Sequence, residues 1–180
     1  KPISINFPSS TFGYMNIKES VSDSELASLG YGYGITMSPF QIASAYSVFA
    51  NDGEYKDFQL LKNEEVTSRK IISSYSASNV LDALKKVVKD GTGKAAEING
   101  FSEGGKTGTV HKIIKGSGYA EDSYRASFIG IVPLSDKSLT IFVSIDEPGL
   151  NSYTGGSVAA PVFAKIAESS LNHLGYFEDE

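Results

Sequence analysis

The sequence predicts an α+β fold: an antiparallel sheet flanked by helices. Three features carry that expectation. Helix-period apolar segments fill the chain before residue 90, β-branched and alternating segments crowd residues 105–145, and an amphipathic helix closes the chain. Near the start, Ile3, Ile5 and Phe7 alternate with polar residues ahead of Pro8, a short strand-like stretch. Ser38-Pro39-Phe40-Gln41 then opens a helix. The serine can cap, proline suits the first helical position, and glutamine three residues past the cap can reach back to it. Ile42, Ala45, Tyr46 and Phe49 fall on one face of that helix, and Asn51-Asp52-Gly53 stops it. A second helix is predicted over 76–90, with Val80, Leu81, Leu84, Val87 and Val88 on its apolar side and Gly91 after it. Strands are predicted over 105–114, 124–132 and 138–145, the last two joined as a hairpin through Pro133-Leu134-Ser135-Asp136. A final helix over 157–174 is expected to turn Val158, Val162, Phe163, Ile166 and Leu174 inward, with Gly175 ending it.

Composition narrows the functional classes. The 180 residues are 41% hydrophobic and 21% charged, ordinary for a globular chain, and enough to bury a core. A formal net charge of −5 argues against a broad basic face for nucleic acid. The absence of cysteine removes disulfides, thiolate metal sites and cysteine nucleophiles. No apolar run approaches a membrane span and no signal peptide opens the chain. The first residue is Lys1 rather than methionine, so an excised piece of a longer protein is the expectation. No repeat or low-complexity tract is present, and residues 1–180 read as a single partial domain.

Gly104-Gly-Lys-Thr-Gly-Thr109 concentrates one lysine, two threonine hydroxyls and small, approachable backbone, a compact surface for an anion. Two machines use nearly this string. Gly100 to Thr107 matches the phosphate-binding loop G-x-x-x-x-G-K-[ST], and 139–146 resembles a hydrophobic strand ending in a magnesium-binding aspartate. Such a loop must follow a buried strand and open a helix. Residues 94–99, Lys-Ala-Ala-Glu-Ile-Asn, are not a buried strand, and Gly108, Gly116 and Gly118 are poor helix material. The other machine is serine acyl transfer of the penicillin-binding type, in which Lys-Thr-Gly sits on a strand lining the cleft. There Lys106 would place positive charge beside a nucleophile and assist proton transfer. Thr107 and Thr109 would offer hydroxyls to a substrate carboxylate, Gly108 would let a substrate backbone lie close, and an edge N–H would stabilise the oxyanion.

Four stretches, in this order and spacing, carry a family resemblance: Leu29-Gly-Tyr-Gly-Tyr-Gly-Ile-Thr-Met-Ser-Pro-Phe-Gln-Ile-Ala-Ser-Ala-Tyr46 with Ala50-Asn-Asp-Gly53, then Gly104 to Thr109, Tyr124-Arg-Ala-Ser-Phe-Ile-Gly-Ile-Val-Pro133, and Tyr153-Thr-Gly-Gly-Ser-Val-Ala-Ala-Pro-Val-Phe163. Together they resemble the C-terminal part of the transpeptidase domain of a class B penicillin-binding protein, most closely the division-specific FtsI branch. The resemblance implies the penicillin-binding-protein/serine β-lactamase-like fold, with the N-terminal part of the domain lying upstream. It implies cross-linking of peptidoglycan by attack on a stem peptide's D-alanyl-D-alanine, inhibition by β-lactams, and neither cofactor nor metal. It further implies a parent anchored in the inner membrane, its domain in the periplasm, working at the septum with a glycosyltransferase and other division proteins. By position, Lys106, Thr107, Gly108 and Thr109 fall on the family's third motif, the Thr109 N–H matching an oxyanion donor. Tyr119, Tyr124 and Tyr153 fall where family aromatics line the cleft. Thr154 stands where relatives often carry a second aromatic.

Two family motifs are missing. No serine has a lysine three residues later, so the Ser-x-x-Lys nucleophile motif is absent from these residues. Ser4-Ile5-Asn6 and Ser170-Leu171-Asn172 are the only Ser-x-Asn strings, the first strand-like and the second inside the closing helix. Nucleophile, base and oxyanion hole act as a unit, so the chain alone is expected to be catalytically inert. A truncated remnant or a non-catalytic binding module is the non-enzymatic reading. Bland roles are expected elsewhere: a surface position for His111, dipole complementation for His173, structural support for Tyr31, Tyr33 and Tyr46, ion pairing for Arg125, and solvated charge for Glu64-Glu65 and Glu178-Asp179-Glu180. Asp146-Glu147 lacks the further ligands a metal pair needs.

Overall fold

The computed structural model describes residues 13–15, 20–62, 65–114, 118–135, 137–149 and 151–176. Two compact units divide the chain, the first running to Ile42 and the second beginning at Ala43. The strand-like 3–7 stretch, Glu64 and the 178–180 carboxylates lie outside the described residues.

In the first unit, β1 (Tyr14–Met15) pairs antiparallel with β2 (Ile35–Thr36), and α1 covers Asp23–Gly30. Ser22 and Glu25 form a capping box on α1, a Ser-x-x-Glu signal present in the sequence. The predicted Ser38/Gln41 box also forms. The Gln41 N–H donates to Ser38 Oγ at 3.2 Å, and Gln41 Oε1 accepts from the Ser38 N–H at 2.9 Å. Gln41, in the first turn of α2 (Pro39–Ala50), also accepts from the Gly13 N–H through Oε1 at 2.9 Å, a bond within the first unit. Tyr31 is exposed and supports no core.

The second unit contains β3 (Glu54–Lys56) paired with β4 (Ser68–Lys70), then α3 (Ser74–Lys89). Its sheet runs β5 (Gly104–Ile114), β6 (Gly118–Val132) and β7 (Leu139–Asp146), antiparallel and in that spatial order. The closing helix begins as a π-helical turn at Gly155–Ala159 and continues as α4, Ala160–Leu174. Among the described residues, no helix is long and apolar enough to cross a membrane.

Helices pack on both faces of the sheet. α3 lies over the start of β5, where a Cβ on Gly104 would meet Leu84 Cβ at 3.0 Å. The other face carries the core, where Phe128 and Phe163 have ring centroids 5.0 Å apart, with Val132 and Leu171 around them. Asp52 and Gly53 take positive φ after α2, and Gly175 takes φ 76° after α4, as the predicted stops require.

Two helix faces differ from expectation. On α2 the buried residue is Val48, while Ala45 is exposed. On α4 the inward line is Ala160, Phe163, Ala167 and Leu171, whereas Val162, Ile166 and Leu174 are exposed. Positions 160, 163, 167 and 171 recur at helical spacing and share the face that packs on the sheet, and Val162, Ile166 and Leu174 fall outside that line. β6 also begins six residues earlier than the predicted 124, because it pairs with β5 out to Gly118↔Ile114.

Candidate active site

β5 presents Lys106 and both threonines at an edge of the three-stranded sheet, with β6 as its neighbour. Lys106 pairs with Ile129, Thr107 with Phe128, Gly108 with Ser127 and Thr109 with Ala126. This stretch is extended backbone hydrogen-bonded into a sheet. The phosphate-loop reading of Gly100 to Thr107 is therefore overturned. The amides of β5 belong to a strand ladder, and no helix begins after Thr107.

Strand alternation sends Lys106 and Gly108 to one face and Thr107 and Thr109 to the other. They occupy successive positions of one edge strand, on alternate faces. The exposed Lys106 Nζ curls back to donate to the Thr107 carbonyl at 2.9 Å. Thr107 Oγ1 is 2.8 Å from Thr92 Oγ1, a hydroxyl from the loop after α3. Thr109 Oγ1 accepts from the Gly155 N–H at 3.0 Å. A hydroxyl that accepts still has its own proton to donate, so Thr109 remains able to bond a carboxylate.

Gly155 and Gly156 close this arrangement. A Cβ on Gly155 would fall 2.2 Å from the Ser127 carbonyl and 2.6 Å from the Gly108 carbonyl, and one on Gly156 would fall 2.2 Å from the Thr92 carbonyl. Only glycine lets the turn sit this tightly against β5 and β6. Gly108 is small for a related reason, since a Cβ there would lie 2.5 Å from Ser127 Oγ. Thr154 caps the helical turn by accepting from the Ser157 N–H, which gives that threonine a structural task.

An aromatic wall continues from Thr109. Tyr124 and Tyr153 stack with centroids 4.2 Å apart and planes at 23°. The His111 ring also packs on Tyr124, with centroids 4.5 Å apart and planes tilted at 45°. Its Nδ1 stands 2.8 Å from the Ala120 carbonyl, and because a carbonyl only accepts, Nδ1 carries the proton. Burial, and then the neighbouring Tyr153 and Asp122, hold the Tyr124 phenol above its ordinary value. Tyr119 is further along β6, opposite Ile113 and 57% exposed.

Beside the wall, Arg125 pairs with Asp146 at 3.1 Å, as its sequence role predicts. Lys112 reaches Asp146 at 3.0 Å and Glu147 at 2.8 Å. These bonds hold both carboxyls below their usual range, Lys112 being the largest cause for each, and raise the Lys112 ammonium, with Glu147 the largest cause. Among the described residues, no cluster of three or more metal-ligating side chains forms. Thr92 and Lys112 lie outside the four stretches that carry the resemblance, and the fold brings them here.

Known proteins share this architecture. Residues 1–168 match the family model of the penicillin-binding protein transpeptidase domain. The chain is 38% identical over 175 residues to a probable peptidoglycan D,D-transpeptidase, PbpC, of Pseudomonas aeruginosa, covering 96% of this chain and 31% of that protein. The apo transpeptidase domain of Burkholderia pseudomallei penicillin-binding protein 3 superposes with a TM-score of 0.88 at 34% identity, over 99% of this chain and 55% of that one. A mycobacterial penicillin-binding protein 3 complexed with aztreonam gives a TM-score of 0.85 at 25% identity, over 99% of this chain and 44% of that one. The chain belongs to the penicillin-binding protein transpeptidase domain family, and its fold is that of the family. It spans about a third of the curated relative's length and about half of the solved domain's.

Proposed function

We propose that residues 1–180 form the C-terminal portion of the transpeptidase domain of a serine-type peptidoglycan D,D-transpeptidase. One observation carries the reading: an ammonium and two threonine hydroxyls stand within four residues on an edge strand of the sheet, each already held by a partner. A peptide's terminal carboxylate meets that edge through the Lys106 charge and the Thr107 and Thr109 hydroxyls. The Thr109 N–H stabilises the oxyanion, and Tyr119, Tyr124 and Tyr153 line the cleft beside it. The acyl-accepting serine lies outside these residues, since none of their serines stands in Ser-x-x-Lys. The chain alone is thus one wall of a catalyst and turns nothing over.

In the parent, the substrate is the D-alanyl-D-alanine end of a stem peptide, and β-lactams compete for the same edge. The mycobacterial relative solved with aztreonam supports that ligand class. Relatives are named peptidoglycan D,D-transpeptidase FtsI; a septal role for the parent, in the periplasm and beside a glycosyltransferase, is what the resemblance to that branch implies. Two measurements test the proposal. Titration of N-acetyl-D-alanyl-D-alanine into the labelled chain is expected to move the amides of residues 106–109 most, with smaller shifts at Tyr119, Tyr124 and Tyr153, and to leave β7 unmoved. Fluorescent penicillin followed by a denaturing gel is expected to leave this chain unlabelled, and a labelled band would sink the claim of incompetence.

A further inference from the structure

The chain leaves β7 through a strained residue. Glu147 has φ 51°, a left-handed conformation that a side chain disfavours. It also precedes Pro148, which biases it toward extended backbone instead. Two penalties at one position persist only where the surroundings impose them.

The surroundings are specific. The Glu147 N–H donates to the Tyr124 carbonyl at 3.0 Å, carrying the β6–β7 pairing one step past the end of the strand. Glu147 Oε1 accepts from Lys112 Nζ at 2.8 Å and from Ser123 Oγ at 3.1 Å. One carboxylate therefore joins β5, β6 and the end of β7. Any one exposed ion pair contributes little, but here the bonds converge on the residue whose backbone is strained.

The loop that starts at Glu147 returns to the same place. Tyr153, six residues on, stacks on the ring of Tyr124, whose carbonyl anchored the start. Two residues later the Gly155 N–H reaches Thr109 Oγ1. Both ends of the loop rest on the β5–β6 hairpin, and Glu147 sets the direction in which it departs.

We infer that Glu147 is a positioning residue: its clamp to Lys112 and Ser123 holds the left-handed turn that lays Tyr153 on Tyr124 and brings Gly155 to Thr109. The inference rests on the transpeptidase reading only for what the aromatic wall contacts. The turn and its clamp stand without it.

Proton and nitrogen NMR of the full chain, without peptide, tests the clamp. Tyr124→Leu supplies the Tyr153 ring shifts of an unstacked ring, and Thr109→Val the Gly155 amide shift without its acceptor. Glu147→Ala is expected to move both signals to those reference values while the Phe128 and Ile131 amides stay in place. Glu147→Gln, whose Oε1 can still accept from Lys112 Nζ and Ser123 Oγ while Lys112 keeps Asp146, is expected to retain both wild-type signals. Wild-type positions for the Tyr153 and Gly155 signals in Glu147→Ala overturn the inference, as does a Glu147→Gln spectrum displaced as far as that of Glu147→Ala. If Glu147→Ala does not fold, Lys112→Ala, which touches no strained backbone, decides by the same two signals. Silence in the peptide titration would instead count against the functional reading and leave these peptide-free spectra untouched.

Discussion

Glu103 offers a quantitative handle on the strand that carries Lys106. It immediately precedes β5 and is only 7% exposed. Among the described residues its Oε2 is the buried side-chain oxygen without a hydrogen-bond partner. Burial first, and then the negative charge of Glu97, push this carboxyl up from 4.5 to about 7, against the backbone N–H groups of Ile98 and Glu103 and the charge of Lys85. A carboxyl that is harder to ionise in the folded chain makes the fold less stable once it must ionise. Its contribution is intact below pH 4.5, declines as pH rises from there to about 7, and is flat above. Two and a half pH units at ~1.4 kcal/mol each give a loss of about 3 kcal/mol at pH 8. Glu103→Gln keeps the shape and removes the ionisation. Urea unfolding of both proteins from pH 4 to 8 is the assay, since other titrating groups cancel in the difference. The variant is expected to match wild type at pH 4 and to exceed it at pH 8, by roughly 1–3 M in midpoint for an ordinary urea slope. Glu97→Gln should recover part of the same gain. A stability difference that does not change with pH, or a glutamine variant weaker at pH 8, would refute the reasoning.

Three further outcomes follow from the packing. Gly155→Ala drives a methyl into the Ser127 and Gly108 carbonyls, so it should destabilise the chain by ~1–3 kcal/mol and break the Gly155–Thr109 bond, seen as a lower melting temperature and a displaced Gly155 amide. Phe163→Ala empties a fully buried site against Phe128 and should cost ~3–5 kcal/mol in chemical denaturation. Gln41→Ala strips the acceptor from the Ser38 and Gly13 N–H groups. Hydrogen exchange at those two amides should quicken about 5- to 30-fold, for ~1–2 kcal/mol of lost local stability.

Much of the architecture was legible because its signals are local. The Ser38/Gln41 box, the β-branched run after Gly104, the turn after Val132 and Gly175 each specify a backbone state within a few residues. The Ser22/Glu25 box is equally local, but it heads an eight-residue helix without a buried face, so no apolar periodicity marks that helix in the sequence. The misjudged helix faces have a different cause. Hydropathy ranks Val162 and Ile166 above Ala160 and Ala167, but the face of α4 that meets the sheet is the line 160–163–167–171, and only the packing decides which of two overlapping apolar lines is buried. The β3–β4 pair is short and polar, and its partners lie too far apart in the chain for alternation to reveal.

The candidate site divides along the same line. That Lys106 stands on a strand follows from residue order, because a glycine- and threonine-rich segment without helix-forming neighbours favours extended backbone; the family is carried by the resemblance of four stretches and by the match over residues 1–168. That Thr92 meets Thr107, Gly155 meets Thr109, Tyr153 lies on Tyr124 and Glu147 ties Lys112 to Ser123 does not follow from residue order. These partners are 15 to 46 residues apart, with Tyr124 and Tyr153 falling between those limits. No short-range periodicity couples such positions. Only the closing of the sheet and the seating of α4 bring them within bonding distance.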